Sequence, residues 1–115
     1  MTLSDALQET WVDVVALDEI TPGRGVAALV GGRQVAVFLV AGDEVFALDN
    51  LDPFCDAPVL SRGIVGDRGG VPKVASPMYK QSFDLRTGRC LDDDTVTVPT
   101  YPVRVVDRRV EVQLP

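Results

Sequence analysis

The chain has 115 residues, of which 46% are hydrophobic and 24% charged; that is enough for one domain with its own core, and it argues against a disordered tail. Eleven basic against seventeen acidic side chains leave a net charge of −6, which argues against nucleic acid and anionic membrane surfaces as partners. With no histidine and two cysteines, the sequence excludes histidine-based nucleophile pairs, histidine metal sites, four-sulfur metal centres and a secreted disulfide scaffold.

Residues 1–9 read as a frayed turn or short helix. They lack the basic flank and apolar run of a signal peptide. No apolar stretch approaches the roughly 18 residues that span a bilayer, so the expected setting is cytoplasmic. The β-branched and aromatic run Trp11-Val12-Asp13-Val14-Val15 predicts a first strand, and Thr21-Pro22-Gly23-Arg24-Gly25 punctuates the chain after it. Strands are then predicted over 26–30 and 34–40, joined by a tight hairpin at Gly31-Gly32-Arg33. A second turn at Ala41-Gly42-Asp43 leads into a strand over 44–48.

The segment from about 50 to 100 is loop-rich, carrying Pro53, Pro58, Pro72, Pro77 and Pro99 with five glycines. Short strands fit only at 70–75, 81–85 and 90–91. The run from Gly63 to Gly70 reads as a flexible turn: it lacks the ending of a nucleotide-binding loop and opens no helix. Asp92-Asp93-Asp94 lacks the glycine and distal glutamate of a calcium loop and reads as a solvated acidic turn. The chain closes with a hairpin, strands at 103–106 and 110–114 about Asp107-Arg108-Arg109. No window shows helical periodicity. The reading is one all-β domain over 1–115, with a loop-rich subdomain carried between outer strands.

Two proline-bearing segments, Asn50-Leu51-Asp52-Pro53-Phe54-Cys55-Asp56 and Val74-Ala75-Ser76-Pro77-Met78-Tyr79-Lys80, each sit at a turn before a strand. Phe83-Asp84-Leu85-Arg86-Thr87-Gly88 follows the second. This layout resembles a Rieske domain, in which Cys-x-His and Cys-x-x-His on two such loops hold a [2Fe–2S] cluster. On that pattern Asp52 and Phe54 stand at the first cysteine and histidine, and Ser76 and Tyr79 at the second pair. Two thiolates and two imidazoles are required, and these residues supply neither.

Asn50-Leu51-Asp52-Pro53-Phe54, Val59-Leu60-Ser61-Arg62-Gly63, Val74-Ala75-Ser76-Pro77, Lys80-Gln81-x-Phe83 and Gly88-Arg89-Cys90 together resemble a narrower family, the small subunits of NAD(P)H-dependent assimilatory nitrite reductase. The resemblance implies an antiparallel Rieske-type β-sandwich, without cluster, cofactor or catalytic residues. It implies an accessory role beside a large subunit that carries flavin, [4Fe–4S] and sirohaem and reduces nitrite to ammonium in nitrate assimilation. The alternatives are a Rieske-type ferredoxin that transfers electrons and an interaction module for another redox enzyme.

On this reading the partner-facing residues are Asp52, Phe54, Arg62, Tyr79, Lys80 and Gln81. Phe54 and Tyr79 are expected as an aromatic cushion where a cluster would sit, against the plainer reading of Phe54 as core. Asp52 is expected to accept hydrogen bonds from loop amides. Arg62 is expected to clasp the loops through Asp52 or Asp56. Cys90 reads as a small packed hydrophobe and Cys55 as a half-exposed free thiol.

Overall fold

The structure is a computed structural model that describes residues 10–40 and 44–113. The expected turn or helix at 1–9 and the turn at 41–43 lie outside the described residues. Strand β1 spans Trp11–Ala16, β2 Arg24–Val30, β3 Arg33–Val40 and β4 Glu44–Asp49. Two-residue strands β5 (Leu51–Asp52) and β6 (Ala57–Pro58) follow, then β7 (Ile64–Arg68), β8 (Val71–Ala75) and β9 (Ser82–Asp84). The chain ends with β10 (Thr100–Tyr101), β11 (Val103–Val106) and β12 (Arg109–Gln113). All pairings are antiparallel, in sheets ordered β1-β12-β11, β10-β4-β3-β2, β5-β6 and β7-β8-β9.

Strand β3 is the axis of the molecule. Val35, Val37 and Leu39 enter one core with Leu17, Ile20, Val30, Ala47, Val110 and Val112. Ala36 and Phe38 enter a second with Leu48, Leu60, Val74, Phe83 and Leu85. A strand buried on both faces needs no polar alternation, which is why 35–40 reads as an unbroken apolar run. The four-stranded sheet is thus covered on one face by β1-β12-β11 and on the other by the β7–β9 unit and the loops it carries.

The turns follow from local chemistry. Gly31 and Gly32 have φ of 56° and 81°, and Val30 pairs directly with Arg33, so the loop is two residues with both φ positive, the twist that matches hairpin strands. Asp107 and Arg108 repeat the pattern at φ 51° and 61°, leaving Arg109 to begin β12 rather than lie in the turn. The run from Gly63 to Gly70 corrects its reading as a flexible turn. Residues 64–68 pair with β8 along their length, and only Gly69-Gly70 turns, at φ 61° and 87°. The expected strand at 90–91 reduces to one pairing of Cys90 with Phe83.

Candidate functional site

Two loops cap neighbouring hairpins and share one construction. In the β5–β6 loop the Asp52 carbonyl accepts the Asp56 N–H at 2.7 Å, and Asp52 Oδ1 accepts the Phe54 N–H at 2.8 Å. In the β8–β9 loop the Ser76 carbonyl accepts the Lys80 N–H at 3.1 Å, and Ser76 Oγ accepts the Met78 N–H at 3.3 Å. Each turn closes on a non-glycine residue with positive φ, Asp56 at 56° and Lys80 at 66°. A third copy follows: Asp84 accepts the Gly88 N–H through its carbonyl at 2.7 Å and the Arg86 N–H through Oδ1 at 2.8 Å. Short polar side chains at the first position of each turn take up backbone donors that would otherwise be orphaned.

The first two loops are joined. Ser76 Oγ donates to Asp52 Oδ2, and the two residues are 1% and 0% exposed. Asp52 does accept a loop amide, as expected. The expected Arg62 clasp, however, is not formed: Arg62 is exposed at the end of a 3-10 turn spanning Leu60–Arg62. Among the described residues the Asp52 side chain draws its hydrogen bonds from the Phe54 amide and the Ser76 hydroxyl. The guanidinium is expected for its bidentate bonds to a carboxylate; burial instead favours a hydroxyl, which brings no second charge to desolvate.

Asn50, not singled out from sequence, anchors the first loop. Its side-chain carbonyl accepts the Ser61 N–H at 2.7 Å, and its amide donates to the Pro58 carbonyl at 3.1 Å and to Gln34 Oε1 at 3.4 Å. The signal was a polar residue at the exit of an apolar strand, where an Asx side chain can organise the next turn.

At the loop tips Phe54 is half-buried, its ring centroid 6.1 Å from that of Phe83, so it packs on the second core. Tyr79 is 60% exposed and Met78 53%. Lys80 and Asp56 are exposed beside them, and Gln81 is half-buried. The Gln81 Oε1 atom is buried without a hydrogen-bond partner among the described residues. Cys55 and Cys90 are both free thiols, the second buried. Burial pushes the Cys55 thiol above its ordinary pKa, and the nearby Asp52 charge adds to the effect.

Charge is distributed unevenly. Among the described residues six arginines form ion pairs, none with a residue of these two loops: Arg68–Asp92 (3.2 Å), Arg86–Asp84 (3.6 Å), Arg89–Asp94 (3.6 Å), Arg104–Glu111 (2.6 Å), Arg109–Asp13 (2.7 Å) and Arg108–Asp18. The acidic turn at 92–94 is therefore tied into the fold rather than merely solvated, with Asp92 Oδ2 also accepting the Ser82 N–H at 2.8 Å. Arg62 and Lys80 have no such partner among the described residues. No three Cys, Asp or Glu side chains among the described residues gather as a metal-holding group.

Residues 10–113 match the family model of the Rieske-like [2Fe-2S] domain. The chain is 45% identical over 104 residues to the nitrite reductase (NADH) small subunit of Salmonella typhimurium, covering 90% of this chain and 96% of that one. The solution structure of Escherichia coli NirD superposes with a TM-score of 0.85 at 42% identity, over 92% of this chain and 97% of that chain. A nitrite reductase [NAD(P)H] large subunit from Klebsiella oxytoca is 47% identical over 102 residues, which are 89% of this chain but 11% of that protein.

Proposed function

The chain belongs to the Rieske-like [2Fe-2S] domain family and, within it, to the nitrite reductase small subunits, and from that premise we propose that it works by contact rather than by chemistry of its own. It is an accessory subunit of an oxidoreductase, nitrite reductase, and pairs with the large subunit. The Klebsiella large subunit that contains a stretch 47% identical to this chain supports that pairing, because there the two parts travel in one polypeptide.

The residues at the cluster positions do not fit a [2Fe–2S] centre. Asp52 has committed both oxygens to Phe54 and Ser76, and Ser76 spends its proton on Asp52. A phenyl ring offers no lone pair, and Phe54 is held against Phe83. No step is therefore assigned to a cluster on this chain. In this reading flavin, [4Fe–4S] and sirohaem reside on the large subunit, where nitrite is reduced to ammonium for assimilation, and the complex works in the cytoplasm.

The docking surface is the pair of loop tips, with Phe54, Arg62, Tyr79, Lys80 and Gln81 facing the partner and buried Asp52 supporting them from beneath. The observation that carries this is the combination on one loop of exposed Met78 and Tyr79 with Lys80, a cation in no ion pair among the described residues. Aromatic residues, methionine and arginine are the side chains enriched at interfaces. Such a tip fits an apolar recess rimmed by carboxylates. The test is co-expression: the large subunit should co-purify with this chain and gain activity or stability from it. A large subunit fully active alone that never retains this chain contradicts the proposal.

A further inference from the structure

The Asp52–Ser76 hydrogen bond joins groups 24 residues apart in sequence, on hairpins that belong to different sheets, β5-β6 and β7-β8-β9. Neither loop needs it for its own shape. Each is already closed by its carbonyl and side-chain bonds, and the Asp84–Gly88 turn holds the same form with no bond to either loop among the described residues. What the bond adds is the position of one tip relative to the other. It lies at the two places that the Rieske layout gives to cysteines, and it is out of water's reach, where a hydroxyl-to-carboxylate bond is strongest.

We propose that this bond is the cross-link that turns two independent loop tips into a single docking surface, with Asp52 and Ser76 acting as positioning residues for partner binding. The inference rests on the loop-tip docking reading above. Phe54 is carried by one loop, and Met78, Tyr79 and Lys80 by the other. A partner that touches both must fix their separation, and a pre-formed cross-link spares it the ordering cost on association. The partner surface it suits is one rigid patch, an apolar recess with a carboxylate opposite Lys80.

Removing the Ser76 hydroxyl tests this. In the full-length Ser76→Ala chain, amide exchange at Phe54, in the loop to which Ser76 does not belong, should accelerate while exchange in β3 stays native. Affinity for the purified large subunit should fall by about tenfold, the scale expected when a pre-organised surface has to be ordered on binding. If the alanine variant does not fold, Ser76→Cys, which keeps a donor of similar size, should show smaller changes in the same two readouts together. Faster exchange at Phe54 with unchanged affinity overturns the cross-link proposal while docking by the tips stands. Unchanged exchange at Phe54 in a folded variant also overturns it. Failure of the native chain to bind the large subunit overturns both proposals.

Discussion

Asp52 is a buried side chain whose donors come from two directions, the Phe54 amide and the Ser76 hydroxyl. Ser76→Ala removes one of them and leaves the charge under-solvated, so it should cost about 1–3 kcal/mol in urea unfolding. Cys55 should alkylate more slowly at neutral pH than an unhindered thiol, since burial first and the Asp52 charge second keep it protonated. Asp52→Asn should speed that reaction, as followed by mass spectrometry. At Gly88, φ is +78° and an added Cβ would meet the Val98 carbonyl at 1.9 Å. Gly88→Ala should therefore destabilise by about 2–3 kcal/mol. The sequence disclosed Asp52, Phe54, Ser76 and Tyr79 as a group because they stand at recognisable loop positions. Which of them touch was not legible, because that depends on how two hairpins pack across 24 residues. The Arg62 clasp failed for the same reason: the capacity for bidentate bonding does not say which side of a 3-10 turn faces inward.

Among the elements, β3 carries the most. Its alternate residues feed both cores, so Phe38→Ala, 0% exposed, should cost about 3–5 kcal/mol in chemical denaturation. Leu29→Ala on the neighbouring strand β2, 74% exposed, should stay within about 0.5 kcal/mol of native. The outer hairpins were legible because diglycine and Asp-Arg turns sit between apolar runs of the right length. Strand β7 was hidden by Gly66, Asp67 and Arg68, which suit a loop by composition; it forms because its backbone pairs with β8 and Val65 packs on the second core. The two-residue strands β5, β6 and β10 are too short to generate a periodic signal.

At the scale of the whole molecule, the net charge of −6 coexists with a folded state that holds several carboxylates ionised. Hydrogen bonds from Arg109 and Arg108 lower Asp13 and Asp18, the Ser82 amide lowers Asp92, and Thr95 lowers Asp93. A carboxylate with a lowered pKa binds its proton less tightly folded than unfolded. Its contribution is complete above the unfolded value of about 4 and drains away as the pH falls through the folded one. Urea midpoints should accordingly hold steady from neutrality down to about pH 5 and decline below about pH 4. Docking should weaken as ionic strength rises, and Lys80→Glu should slow association with the large subunit by about tenfold, read by surface plasmon resonance.

The claim that this subunit acts through its loop tips is tested most directly by comparing amide hydrogen exchange of the chain alone and in complex with the large subunit. Protection on binding should concentrate at residues 53–56 and 77–81, leaving residues 27–30 of β2, the last strand of its sheet among the described residues, unchanged. Protection confined to that strand or to the β11–β12 hairpin, with both loops exchanging as in the free chain, would contradict it.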